Sequence, residues 1–299
     1  MFYTMKILVY GSLNIDLIFA VDHIVMPGET MSSGAFSKGA GGKGANQAAA
    51  AALAGLPVFM AGKIGQDGEF LLRLLESYGV DTGKVVRYDG ATGQALIQVD
   101  KNGQNAIVLA SGGNGAVTSE EIRATMADFG SEDILVVQNE IAGVSEIIRT
   151  ANERGMQVCF NPSPYNEKIE ALPLEMVNLF FVNEIEGAAL ARLSSDVAPD
   201  AILNQLVKRF PSAEIILTAG GDGAYYAFGS ARVKGEIVSM PVVDTTGAGD
   251  TFTGYYIAAR QRKFSVQDAL NAACKAASIA VSRAGAMQSM PFKEEVFGG

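Results

Sequence analysis

The segment DTTGAGDTF, from Asp244 to Phe252, sets two glycines, Gly247 and Gly249, immediately before an apolar helical run. Glycines let successive backbone N–H groups turn inward with no Cβ in the way. The free N–H groups and dipole of the helix that follows then favour negative charge, and the backbone of Gly247, Ala248 and Gly249 forms a hole suited to phosphate. Asp250 stands beside that hole. A carboxylate repels a static phosphate, but it suits a base that deprotonates an attacking hydroxyl. The same residues can also be read as a plain Gly-rich turn with Asp250 as the helix N-cap.

Upstream of this turn, short apolar strands alternate with helical patterns. The strands are expected at Lys6 to Tyr10, Val58 to Gly62, Ile134 to Val137, Val158 to Phe160, Leu179 to Val182 and Ile215 to Thr218. The helices are expected at Ala45 to Ala54, Glu69 to Tyr78, Ser119 to Ala127, Val144 to Glu153, Glu184 to Leu193 and Ala201 to Arg209, each with apolar residues at three- and four-residue spacing. A long Ala-rich helix follows from Val266 to about Ser282. Repeated βα units imply a largely parallel sheet with helices on both faces, an α/β fold of three layers. Two stretches, Leu13 to Phe36 and Thr92 to Leu109, break the rhythm with alternating polar and apolar residues and turn signals such as Asn102-Gly103. They predict a small antiparallel lid. The whole reads as one domain, residues 1–299.

Composition narrows the chemistry. The chain has 48% hydrophobic and 18% charged residues and a formal charge of -9. That charge gives no field to draw it to nucleic acid or to an anionic membrane. The longest uncharged run, Gly44 to Gly62, contains Asn46, Gln47 and Pro57 and reads as helix, turn and strand. Lys6 precedes an apolar stretch, but Asn14 and Asp16 interrupt it, so a secretory signal is not expected and the cytoplasm is the expected address. Cys159 and Cys274 are the two cysteines, too few for a disulfide framework or a zinc site. His23 is the one histidine, and no Ser-His-Asp triad or His-rich metal site is built around it.

A second Gly-rich helix entry, GAGGKGANQAA from Gly39 to Ala49, places Lys43 and Asn46 where they could hydrogen-bond a polyhydroxylated ligand. Gly39, Gly41 and Gly44 match G-x-G-x-x-G, but no acidic residue follows about 20 positions on within a clear βαβ unit, which argues against a dinucleotide site. Ala45 after Gly44 rules out a Walker loop.

With GSLNID (Gly11 to Asp16), QNE ending at Glu140 and NEIE (Asn183 to Glu186), these motifs resemble the PfkB-type carbohydrate kinases, and within them the ribokinases, nearly end to end. The resemblance implies a ribokinase-like fold and transfer of the γ-phosphate of ATP to a sugar primary hydroxyl, D-ribose first among acceptors. It implies Asp250 as base and the amides of Gly247 to Asp250 as the charge-stabilising hole. The sugar would be held by Asn14, Asp16, Gly42, Lys43, Asn46 and Glu140. By composition alone, Asn14 and Asp16 could as well cap a strand end, and Glu140 could be a solvated loop carboxylate. The nucleotide would be lined by Thr218, Gly220, Asp222, Gly223, Gly249 and Cys274. Asn183 and Glu186 match positions that organise Mg²⁺ and the phosphates, Glu186 through water, although two polar residues opening a helix are also ordinary caps. Asp244, Thr246, Ala280, Arg283, Gly285 and Ser289 match a monovalent-cation site suited to K⁺. The family also implies a homodimer through the lid.

Three departures from the family bear on the substrate. Gln94 and Gln98 stand in the lid where apolar residues are usual, Asn139 stands where leucine is common, and Cys274 replaces a histidine or asparagine facing adenine. Extra amides near the sugar could favour another polyol or a nucleoside, although they need not face it; the alternative acceptors are another pentose, a hexose or a nucleoside such as pseudouridine. A non-catalytic sugar sensor is the remaining alternative, and the intact GAGD segment argues against it.

Overall fold

The computed structural model describes residues 5–298; residues 1–4 and 299 of the expected domain lie outside them. The chain enters the central sheet at β1 (Ile7–Tyr10) and runs out into two lid strands, β2 (Asn14–Ala20) and β3 (Ala35–Gly41). It returns through α1 (Lys43–Leu53), β4 (Val58–Ile64), α2 (Glu69–Ser77) and β5 (Asp81–Arg87). The lid is completed by β6 (Gly93–Val99) and β7 (Asn105–Ala110). Then α3 (Ser119–Met126), β8 (Ile134–Gln138), α4 (Val144–Glu153), β9 (Gln157–Asn161) and β10 (Leu179–Asn183) follow. Next come α5 (Glu184–Ala191), α6 (Pro199–Arg209), β11 (Glu214–Thr218), β12 (Ala224–Phe228) and β13 (Ala231–Gly235). The chain closes with α7 (Ala248–Gln261), α8 (Val266–Val281) and α9 (Lys293–Phe297).

Among the described residues the sheet has nine strands in the order β13-β12-β11-β10-β9-β8-β1-β4-β5, parallel except for the β12 and β13 pairings. Successive residues of one strand serve opposite layers, as the two-residue period of a strand requires. Ile7 and Val9 join the core under α1, α2, α7 and α8, while Leu8 and Tyr10 join the core under α3 to α6. Burial on both faces is why these strands read as unbroken apolar runs. The chain leaves β1 toward β4 on one side and comes back to β8 on the other. The carboxyl ends of β1 and β8 therefore flank a topological switch point, where open α/β sheets place their ligands.

The strands missed by apolar pattern are β5, β12 and β13. β5 (DTGKVVR) is an edge strand that carries charge and Gly83. β12 and β13 form a hairpin closed by Gly229 and Ser230, with Gly229 at φ 54°. In the lid, β2 pairs antiparallel with β3, and β6 with β7, and the two hairpins join through a parallel β2–β6 pair. β3 runs past the expected boundary at Phe36 to Gly41, leading directly into α1.

α1 is nearly all alanine beyond its first turn, and this lets α7 approach it closely. A Cβ at Gly254 would lie 2.6 Å from both the Ala50 Cβ and the Ala51 nitrogen. No helix among the described residues is long and apolar enough to cross a membrane. His23 is exposed and pairs with Glu29 at 2.9 Å, and both cysteines are buried free thiols.

Candidate active site

α7 starts after Gly247, whose φ of 75° only glycine adopts without strain and which caps the helix with no side-chain bond. Asp250 is therefore not the N-cap; it is the third residue of the first turn, buried, and faces α1. Asn46 Nδ2 donates to its Oδ2 at 3.0 Å and Gln47 Nε2 to its Oδ1 at 2.9 Å. Burial raises the Asp250 pKa above the usual carboxylate value, opposed by Lys43 and by the two amides. A carboxylate so placed is a better proton acceptor than an exposed one. The N–H groups of Gly249 and Asp250 have no backbone acceptor among the described residues, and a Cβ at Gly249 would meet open space. Free donors, a helix N-terminus and room beside them make an anion site.

Beyond the amides lies a relay that the motifs did not reveal. Gln47 Oε1 accepts from Gln138 Nε2 at 2.6 Å, and Gln47 Nε2 also reaches Asn161 Oδ1 at 3.3 Å. Asn161 Nδ2 in turn donates to the Phe181 carbonyl at 2.8 Å. Asn46 Oδ1 and Gln138 Oε1 are buried without a protein partner. The sequence signals were two adjacent amides in an alanine run and polar residues at the carboxyl ends of apolar strands.

On the side expected to take the sugar, Glu140 is half-buried and held by hydrogen bonds, which argues against the solvated-loop reading. It accepts from Ser12 Oγ and from the Lys43 N–H at 3.3 Å, joining the ends of β1 and β8 at the switch point. Burial raises its pKa, with Lys43 opposing. Asp16 is pushed up to about 6, by burial first and by Glu140 second. Its carboxylate lies over Gly41, where a Cβ would come within 2.2 Å of Oδ2. Asn14 Oδ1 accepts from Asn114 Nδ2 at 2.7 Å, which leaves its own amide donors for a ligand. Gly42, at φ 96°, caps α1. Burial works against the charge of Lys43, but Asp250, Glu140 and Glu186 overcome it and hold its pKa above normal. A cavity of about 340 Å³ adjoins Asn14, Asn139 and Glu140.

A second cavity, of about 310 Å³, is lined by Thr218, Gly220, Gly223, Gly249 and Cys274. Asp222 shares the loop but not the lining. A third, of about 270 Å³, links the second to the Asp250 carboxylate: it shares Thr218 and Gly249 with the second and is also lined by Lys43, Asn183, Glu186, Gly247 and Asp250. Asn183 and Glu186 do form a capping box on α5: the Glu186 N–H donates to Asn183 Oδ1 at 2.8 Å, and the Asn183 N–H to Glu186 Oε2 at 3.2 Å. Both nevertheless line the linking cavity.

The loop 244–246 meets the segment after α8. Thr246 and Gly285 donate their N–H groups to the two Asp244 carboxylate oxygens at 2.9 and 3.0 Å. The carbonyls of Thr246, Arg283 and Gly285 accept no hydrogen bond among the described residues. The Ala280 carbonyl accepts from the Arg283 N–H, and the buried Ser289 hydroxyl donates to the Ala286 carbonyl. A carboxylate with spare carbonyls is a donor set that fits a large monovalent cation.

The lid glutamines lie elsewhere. Gln94 pairs with Ile15 and Gln98 with Phe19, so both share the sheet face opposite Asn14 and Asp16. Gln98 Oε1 accepts from the Val25 N–H at 2.9 Å and ties down the loop between β2 and β3. Asn139 lines the sugar-side cavity, but its amide donates to the Pro164 carbonyl at 2.8 Å.

Residues 4–293 match the model of the pfkB family carbohydrate kinases. The chain is 33% identical to a ribokinase of Haemophilus influenzae over 96% of this chain and 95% of that protein. It is also 33% identical to a bifunctional ribokinase/ribose-5-phosphate isomerase A of Fructilactobacillus sanfranciscensis, covering 97% of this chain and 55% of that longer one. The structure superposes on a ribokinase of Cryptococcus neoformans var. grubii in complex with ADP with a TM-score of 0.88, at 34% identity and 99% coverage of both chains.

Proposed function

The chain belongs to the pfkB family of carbohydrate kinases, and we propose that it transfers the γ-phosphoryl group of ATP to the primary hydroxyl of D-ribose. The observation that carries this reading is the buried Asp250 carboxylate, oriented by Asn46 and Gln47 in a cavity that also holds Lys43 and a helix N-terminus with free donors. Asp250 takes the hydroxyl proton, the oxygen attacks the γ-phosphorus in line, and ADP leaves. The N–H groups of Gly249 and Asp250 and the Lys43 ammonium meet the charge carried by the phosphoryl group. Asn14, Asp16 and Glu140 hold the sugar hydroxyls and fix the reacting oxygen near the base. Residues 1–299 work as one domain, with the lid excluding water.

Mg²⁺, when bound with the nucleotide, supplies charge neutralisation at the phosphate oxygens. Glu186, beside Asn183 in the linking cavity, would hold it through water. Among the described residues no cluster of three or more His, Cys, Asp or Glu side chains could cage a metal, which fits an ion carried by phosphates and water. K⁺ would occupy the Asp244 loop. Exposed Phe36, Leu96 and Val108 share the lid face opposite Asn14 and Asp16 and favour a homodimer through that sheet, and two buried free thiols suit a cytoplasmic address.

The test is ADP release with ATP, Mg²⁺ and K⁺ across ribose, 2-deoxyribose, fructose, ribitol and several nucleosides. Ribose should be turned over fastest, with kcat reduced at least about a thousandfold in Asp250→Asn. Faster turnover of another compound would keep the phosphotransfer and overturn ribose. Sugar binding without turnover in the wild type would establish a sensor.

A further inference from the structure

The far end of α7 closes a fourth cavity, of about 350 Å³, whose wall includes the first residues of four parallel strands: Ile134, Gln157, Leu179 and Glu214. It therefore lies at the opposite edge of the sheet from the catalytic cleft. Ten residues along α7 separate Asp250 from Arg260 in this wall, a rise of roughly 15 Å.

Its chemistry is unfinished. Tyr256 lines the cavity and is 1% exposed, yet its hydroxyl has no hydrogen-bond partner. A buried unpaired hydroxyl is costly, and a ligand acceptor would relieve it. Arg260 bonds only the Phe264 carbonyl, at 3.1 Å, and Lys263 makes no ion pair among the described residues. Lys263 also holds φ 64° at the turn that ends α7, where Phe264 and Lys263 donate their N–H groups to the Ala259 and Arg260 carbonyls. Glycine is the usual residue there, so Lys263 sits against a backbone preference.

The two cations exceed the single lining carboxylate, Glu214, which Tyr226 already hydrogen-bonds. The excess of one positive charge selects an anion. A guanidinium fork matches carboxylate or phosphate alike, but the carbonyl end of the α7 dipole works against negative charge and so disfavours a doubly charged phosphate more than a singly charged carboxylate. Ile134, Leu179 and Ile257 give the body of such a ligand an apolar wall.

The Tyr256 ring stacks on Phe252, with centroids 6.2 Å apart and planes 8° apart, and meets Phe181 edge-on at 5.8 Å. Phe252 lines the nucleotide cavity and Phe181 the linking one. We propose that the fourth cavity binds a small monocarboxylate through Arg260, Lys263 and the Tyr256 hydroxyl, and that its occupancy is transmitted through the Tyr256–Phe252 stack to the nucleotide cavity. The proposal does not depend on which sugar is phosphorylated.

Calorimetric titration of the full chain with lactate, pyruvate and benzoate tests it. At least one should bind one per chain, about 10- to 100-fold more weakly in Arg260→Met and also more weakly in Tyr256→Phe. Lys263→Gly should weaken binding while raising the melting temperature, an opposition that loss of structure cannot produce. The bound carboxylate should change the ADP dissociation constant by the factor by which ADP changes its own. Failure of all three probes to bind, or equal binding to Arg260→Met, overturns the site. Binding with unchanged ADP affinity overturns the link.

Discussion

At the scale of single residues, the cleft gathers carboxylates whose burial works against their charge. Gln47 favours the ionised form of Asp250, so Gln47→Leu should move the acid limb of the pH–kcat profile to higher pH and lower kcat on that limb. The sugar KM should change far less, because Gln47 reaches the base and not the sugar-side cavity. Asp16 carries a prediction about stability. Its pKa rises from 3.8 unfolded to about 6 folded, so the native state binds the proton more tightly. Its contribution is fully present below about pH 4 and is lost as pH rises through 6. Asp16→Asn should therefore raise the unfolding free energy of the ligand-free protein by roughly 3 kcal/mol at pH 8, with the gain gone at pH 4. Urea titrations at the two pH values check this. The motif residues were legible because they are contiguous in sequence. Gln138 and Asn161 were not, since only the folded sheet brings the ends of β8 and β9 to Gln47.

Among elements, the decisive contact is α1 against α7. Gly254 and the alanines of α1 set the spacing that lets Asn46 and Gln47 reach Asp250. Gly254→Val should destabilise the fold by about 1–3 kcal/mol from overpacking, and the surviving folded protein should show reduced kcat as the amides draw away from the base. Thermal melts and kinetics on the same preparation separate the two effects. The six buried strands were legible because apolar residues fill both faces. β5 was not, because its position at the sheet edge tolerates Asp81, Gly83 and Lys84. The β12–β13 hairpin was missed although Gly229-Ser230 is a turn signal, because β13 (ARVKG) has little apolar character. Whether Gln94 and Gln98 face the sugar turned on register, which sequence alone does not fix across a parallel pair.

Across the whole molecule, the residues proposed to face the sugar come from the first 140 positions, Asp250 apart, and those proposed to face phosphate, Lys43 apart, from position 183 onward. The βα rhythm revealed the layers but not the crevice, since the switch point depends on strand order. The Asn46–Asp250 hydrogen bond spans 204 positions. Ribosomes add about 5–20 residues per second, so a nascent chain carries α1 for roughly 10 to 40 seconds before α7 exists to cover it. During that interval the two amides have no carboxylate and the alanine face has no partner. A chaperone that shields small apolar surfaces would meet this protein at α1, before any catalytic base has been synthesised.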